Sequence, residues 1–420
     1  MDTSKKVLII QSYNPNKGDN SVLGIMISSL KQYSYELAIT AFDPVKAHKD
    51  YQIPAFDYLV SFRKMKLASN KSVFLLEALK EGIWILYSLI YIILLKCGIH
   101  CPLPRHKRDI ISAYTEADLV VLPGGHFFTS FNSLINNFSH FWGLKYAQWL
   151  HKKTMVYSQT VGPYKSNLVG RVERKMANWA LAKANLVTLR EEDSLRNYTG
   201  ANVKVTAETV FIEPIHRIDM DIRKYMPDYK EEPIIGCTIH HIYYKHYFSK
   251  EKYIELMVGI FNAILAAYPC RILMIPMEDR YNTGGDRPMI REMMLRVDRE
   301  FRHRINMVSE DLSSTETANV IANCQGFVGT KTHSIVYGLK TATPTLSISY
   351  QEKSTEFMKM FGMEHYAMPM KELNLKDFMH IFHQLFEKRE SIGDELRKKY
   401  PLIRERAEYN NILLNQLLYD

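Results

Sequence analysis

The sequence has 420 residues, 46% of them hydrophobic and 24% charged, with 19 Gly and 16 Pro. That balance excludes disordered, collagen-like and low-complexity chains, and the length allows two or three domains that each bury a core. Lys and Arg number 54 against 45 Asp and Glu, a net charge of +9 suited to phosphates, carboxylates or an anionic membrane face; no motif supports a nucleic-acid partner. The five cysteines are too few and too scattered for a disulfide framework, which favours a reduced, cytoplasmic setting. Cys97 and Cys101 stand close, with His100 between them, but no second Cys or His pair lies at zinc-ligand spacing, so no metal is expected. Four apolar residues, Val7 to Ile10, follow the opening hexapeptide, too few for the core of a signal peptide.

Taken in chain order, short runs rich in β-branched residues alternate with helical patterns, the signature of parallel α/β layers. The pattern predicts strands at Val7 to Ile10, Leu37 to Thr40, Leu119 to Leu122, Met155 to Ser158 and Leu186 to Leu189. A second series follows at Ile234 to Ile239, Ile272 to Ile275, Ile305 to Val308, Phe327 to Gly329 and Thr345 to Ser349. Between them, Pro214 to Pro233 reads as a connection. The expected architecture is two Rossmann-like domains facing a cleft, 1–213 and 233–385, with helices over 386–420. Ligands of such sheets bind beyond the carboxyl ends of the strands, so the loops there are the places to look for chemistry.

The first such loop, Asn14 to Ser21, leads into an apolar helical pattern from Val22 to Leu30 with Asp19 or Asn20 as candidate N-cap. Amides at such a helix start either hold an anion or sugar hydroxyl or merely await their caps. The third strand ends in Pro123-Gly124-Gly125-His126, where the glycines let backbone approach a ligand or turn at positive φ. Gln159 to Pro163 forms another strand-end loop. Arg190 leaves the next strand carrying a fork suited to a carboxylate or phosphate, with Glu191 and Asp193 as alternative partners.

In the second half, Lys331 and His333 stand where a strand gives way to a helix, and Lys353 repeats the placement after the following strand. Adjacent parallel strands would bring all three to one rim. Two cations beside an imidazole make an anion site with a proton donor, because a bound anion raises the histidine pKa.

One segment breaks the alternation. Gly82 to Leu95 is 14 uncharged, mostly large apolar residues, about 21 Å as a helix and short of the roughly 30 Å that a membrane span needs. Arg63, Lys64, Lys66 and Lys71 precede it, and Lys96, Arg105, Lys107 and Arg108 follow. That frame suits a helix in the membrane interface, with Trp84, Tyr87 and Tyr91 at headgroup depth; a core helix or dimer contact fits the same pattern.

The order of these motifs resembles the polysaccharide pyruvyl transferase family. The matching pieces are Asn16-Lys17-Gly18-Asp19, Asp118 to Gly125, Gln159 to Pro163, Arg190 to Ser194, the His333 loop and Ser349-Tyr350-x-x-Lys353. The resemblance implies a GT-B-like fold and transfer of pyruvate from phosphoenolpyruvate to a sugar as a ketal, with no metal or other cofactor. It implies His333 as proton donor and Arg190 and Lys353 as basic donor-binding residues; Lys331, at the same rim, is a third donor-binding candidate by its placement. Asn16, Gly18, Gly124, Gly125 and Gln159 are left as acceptor or loop contacts, and Asp19 is a candidate base. The chain departs from the family in having Lys331-Thr332 for Arg-Leu, His126 for a third glycine and Glu208-Thr209 for Asp-Pro.

The expected partners are phosphoenolpyruvate and a saccharide acceptor, in lipid-linked form, met on the inner face of the plasma membrane through a peripheral contact. Two rival readings are a nucleotide-sugar glycosyltransferase of GT-B architecture, which would add a carboxylate on the ribose, and a non-catalytic membrane-associated binding or assembly subunit.

Overall fold

The computed structural model describes residues 4–13, 17–62, 65, 70–99, 101–130, 134–213, 220–278, 285–350 and 352–420. The chain divides into two compact units, Met1–Ile212 with Arg404–Asp420, and Glu213–Ile403.

In the first unit the strands are β1 (Lys6–Tyr13), β2 (Glu36–Ala41), β3 (Ala55–Asp57), β4 (Leu119–Leu122), β5 (Gly125–Phe128), β6 (Lys153–Val161), β7 (Leu186–Leu189) and β8 (Val203–Val205). They pair in parallel in the order β3-β2-β1-β4-β6-β7-β8, with β5 against the end of β6. Helices cover both faces, so strands such as Leu119-Val120-Val121-Leu122 are buried at every residue and read as unbroken apolar runs. Alternate residues still part: Leu8, Ile10, Val120 and Leu122 pack with Tyr114 and Trp142, whereas Val7, Ile9, Leu119 and Val121 pack with Leu23, Met26 and Leu30.

The second unit holds β9 (Ile234–Cys237), β10 (Arg271–Met274), β11 (Ile305–Met307), β12 (Gly326–Gly329), β13 (Thr345–Ser349) and β14 (Ala367–Pro369) in the parallel order β11-β10-β9-β12-β13-β14. Numbered from β9, this is the 3-2-1-4-5-6 order of dinucleotide-binding folds, whose ligand crevice opens where the order reverses, between β9 and β12. The first sheet reverses in the same way between β1 and β4.

Four strands, β3, β5, β8 and β14, stand where the sequence reading had none, and three further details differ from the sequence expectation. The helix after β1 spans Lys17–Lys31, so Asp19 and Asn20 lie inside its first turn and neither is the N-cap. The apolar segment 82–95 is the second half of a 26-residue helix, Lys71–Lys96, about 39 Å long, capped by the Asn70 side chain accepting from Val73 N. Trp84 and Tyr91 point into the core, not outward. Third, the helices expected over 386–420 are a single helix, Arg389–Tyr419, following the helix Leu375–Glu387, and its residues from Arg404 onward belong to the first unit. There the Tyr157 hydroxyl donates to Asn411 at 2.6 Å, and Thr206 Oγ1 donates to Asn410 at 2.9 Å.

Candidate active site

In the first unit, two strand exits carry the sequence candidates. Gln159, fully buried at the end of β6, donates from its amide to the Pro123 carbonyl and accepts from Phe127 N, so one side chain ties the end of β4 to β5 across Gly124, and Gly125, expected in a loop, opens β5. Neither glycine has a positive φ, contrary to one of the two uses the sequence suggested. Close packing requires them: a Cβ on Gly124 would stand 3.2 Å from the Ser158 carbonyl oxygen, and one on Gly125 would meet the Phe127 ring at 2.6 Å. Gly18 and Asp19 sit in the first turn after β1; the Asp19 side chain and Asn16 lie outside the described residues.

Arg190 leaves β7 into a buried polar network. Its Nε donates to Thr160 Oγ1 at 2.7 Å and to Glu191 at 3.2 Å, and its Nη1 donates to Glu208. All three of the ionised groups are about 5% exposed or less. Burial pushes the Glu191 carboxyl up, against the pull of Arg190 and the hydrogen bonds from Ser194 and Thr160. The Glu191 partnership named from sequence is formed, while Asp193 pairs with Arg196 instead. Glu208, at the family's Asp-Pro position, is thus a second counter-ion of Arg190.

In the second unit, the residues after β9 and β12 flank the reversal of strand order. Thr238 Oγ1 accepts from Thr330 N at 2.9 Å and lies 3.1 Å from Ser334 Oγ, tying the two strand exits together. Lys331 is the N-cap residue of the helix Thr332–Lys340, and His333 is the helix's second residue, partly exposed. The Lys331 ammonium is almost buried and donates to Asp286 at 2.9 Å and to Glu278 at 3.1 Å. His241 Nδ1 lies 2.7 Å from the other oxygen of Asp286, and the amides of Met277 and Glu278 also donate to that carboxylate at 3.0 Å. Burial works to raise the Asp286 pKa, but the bonds from His241 and Lys331 outweigh it and hold the carboxyl below its usual range.

Lys353 belongs to the helix Glu352–Met360, which follows β13; its side chain is outside the described residues. The two helix starts are joined by Thr332 Oγ1 and Ser354 Oγ, 2.9 Å apart. The Tyr350 ring meets the His240 ring edge-on at 4.7 Å, so the exits of β9 and β13 also touch. The structure therefore gathers Lys331, His333 and the backbone of Lys353 at neighbouring strand exits of one sheet, with Arg190 and Asp19 in the other unit. Sequence reasoning missed His240, His241 and Asp286. The histidine pair directly follows a predicted strand and was open to the same strand-exit argument; Asp286 lies 45 positions from Lys331 in a loop without a motif.

These features define an α/β protein of two Rossmann-like domains with GT-B-like architecture. The chain is similar over its whole length to the structure of a glycosyltransferase from Rickettsia africae, with a TM-score of 0.59 and 12% identity over 100% of this chain and 99% of that one. The UDP-GlcNAc 2-epimerase from Neisseria meningitidis is similar at a TM-score of 0.60 and 13% identity, over 99% of this chain and 100% of that one. In sequence, the chain matches the polysaccharide pyruvyl transferase family over residues 16–352 and belongs to that family. The amylovoran biosynthesis protein AmsJ of Erwinia amylovora is 20% identical across 387 residues, covering 88% of this chain and 89% of that protein.

Proposed function

We propose that the protein transfers pyruvate from phosphoenolpyruvate to a saccharide as a ketal, in the building of a cell-surface polysaccharide. Family membership supports a transferase acting in polysaccharide biosynthesis, and similarity to a protein of amylovoran biosynthesis supports the same pathway class. The observation that carries the finer reading is the placement of His333 beside Lys331 at the reversal point of the second sheet, where ligands of this fold bind.

In this reading the donor lies over the start of the helix Thr332–Lys340, its phosphate and carboxylate met by Lys331, Lys353 and the helix amides. Asp286 keeps Lys331 extended, and an incoming phosphate displaces the more exposed Glu278 rather than buried Asp286. Protonated His333 gives its proton to the donor's methylene carbon, leaving a cationic centre at the adjacent carbon. One sugar hydroxyl adds there and loses its proton to a base; phosphate departs with its bonding electron pair, a second hydroxyl adds and gives up its proton, which returns to His333 or to the leaving phosphate, and the ketal closes. Arg190 and Asp19 are the first unit's candidates for donor binding and for the base. The reaction draws on phosphoenolpyruvate as co-substrate and on no metal, and a donor drawn from central metabolism fits an enzyme of the cytoplasm.

The test is phosphate release from phosphoenolpyruvate in the presence of polyprenyl-diphosphate-linked saccharides, with mass spectrometry of the acceptor. A pyruvate ketal on the sugar, dependent on His333, is the expected result. Turnover of a nucleotide sugar in its place would assign a glycosyltransferase, and inertness toward both donors a binding subunit.

A further inference from the structure

We propose that the outward face of the helix Lys71–Lys96 docks the protein on an anionic lipid bilayer, lying in the headgroup plane. Nine large apolar residues on this helix are exposed, Val73, Phe74 and Leu76 near its start among them, and six, Leu75, Leu79, Ile83, Leu86, Ile90 and Ile93, 44–66% exposed, share one face. Their spacing of three and four residues lines them along one stripe, within about a quarter of the helix circumference. From Leu75 to Ile93 the stripe runs about 27 Å. A soluble protein exposes single apolar side chains everywhere; a continuous row of six is the mark of a surface that meets something apolar.

From Trp84 to Ile92 the opposite face is already committed. Trp84 Nε1 donates to the Leu59 carbonyl at 2.7 Å, the Lys107 ammonium sits 5.0 Å above the Trp84 ring, and the Tyr87 hydroxyl donates to the Pro102 carbonyl. Ser88, Tyr91 and Ile92 are buried beside Trp84. By length and composition the helix could cross a membrane, but from Trp84 to Ile92 one side of it is fastened to its own domain, which favours lying against a bilayer over crossing it. The rings expected at headgroup depth, Trp84 and Tyr91, are part of the fastening.

Charge selects the occupant. At 100° per residue, Glu77 and Glu81 fall on the side of Trp84 and Ser88, away from the stripe. Lys71 and Lys96 border the stripe on one flank and Lys80 on the other, and all three are exposed. Lys80 bonds to Glu77 but keeps 58% of its side chain in solvent. The outward side thus presents an apolar row between lysines with no carboxylate among them, which complements acyl chains flanked by anionic headgroups. A second copy of this helix would bring lysines against lysines.

Co-sedimentation with vesicles of phosphatidylglycerol mixed with phosphatidylcholine, against vesicles of phosphatidylcholine alone, tests the proposal without any sugar or donor. Failure here would therefore leave the transferase reading untouched. The protein should bind the anionic vesicles on the order of tenfold tighter, less so as salt rises. Combined Leu79→Gln, Ile83→Gln and Leu86→Gln should abolish binding with the thermal midpoint unchanged, and Lys71→Glu with Lys96→Glu should erase the anionic preference. Equal partition to both vesicles, undiminished binding of the triple variant, or no binding by the parent protein would overturn it. A parent that is dimeric by light scattering, made monomeric by the triple change, would assign the face to a second copy.

Discussion

The Lys331 ammonium is held 2.9 Å from a carboxylate oxygen of Asp286, a side chain 1% exposed, and the second oxygen of that carboxylate lies 2.7 Å from His241. One acid thereby positions two basic groups from two strand exits, β12 and β9. Asp286→Asn would leave a buried lysine with only the partly exposed Glu278, and the cost should be roughly 2–4 kcal/mol. Denaturant unfolding measures it. An unchanged midpoint would mean that Lys331 finds another partner.

His333 precedes most of the helix that carries it and is partly exposed, so its replacement should spare the fold. His333→Ala is expected to lower turnover with phosphoenolpyruvate by about 10²–10⁴, the usual reach of general acid catalysis. His333→Gln, which keeps a hydrogen-bonding group but no transferable proton, should be as slow. Parental rates in either variant would remove the proton-donor role.

At the exit of β7, Arg190 is shared between Glu191 and Glu208, all three buried. Glu208→Gln keeps the shape and removes one charge, leaving the guanidinium to Glu191, Thr160 and a weaker amide contact. We expect a loss of about 1–3 kcal/mol, read from the unfolding of the first unit. Arg190→Lys should cost at least as much, because a single ammonium does not replace the guanidinium fork. A neutral Glu208→Gln would show that Glu191 alone satisfies the arginine.

Lys340 ends the helix that begins beside Lys331. Burial lowers its pKa to about 8, opposed by Glu213 at 3.9 Å. In the unfolded chain the amine returns to its ordinary value of 10.5, so between these values the unfolded state holds more protons and stability rises with pH. Below pH 8 the buried charge is a constant penalty. Lys340→Met should therefore stabilise the second unit at pH 7 by up to about 3 kcal/mol, since a tenfold change in proton affinity is worth about 1.4 kcal/mol. At pH 10 the gain should be much smaller. A gain independent of pH would trace to packing alone.

Much of the architecture was legible because central strands buried on both faces are written as solid apolar runs. Leu119 to Leu122, Leu186 to Leu189 and Thr345 to Ser349 have the limits that their composition predicts. The three shortest unpredicted strands, Ala55–Asp57, Val203–Val205 and Ala367–Pro369, are sheet edges, where three mostly half-buried residues leave no apolar run to read. Lys17-Gly18-Asp19-Asn20 has the composition of a turn, yet it opens a helix whose stability comes from Leu23, Met26 and Leu30 further along. At the site, strand exits were readable and partners were not. Nothing local in the sequence couples Lys331 to Asp286 or Arg190 to Glu208, because those pairs form only when distant segments close on the sheet.

The helix Arg389–Tyr419 gives the first unit its last wall: Leu413, Leu414 and Leu418 pack with Val7, Ile9 and Met155 across the face of β1, β4 and β6. On the ribosome, that sheet emerges long before the wall does, since all of residues 213–403 must be translated in between. The part of that face left open by the helix Lys17–Lys31 therefore stays apolar and uncovered while the second unit is made, a natural holding place for a chaperone, until the helix Arg389–Tyr419 returns to it.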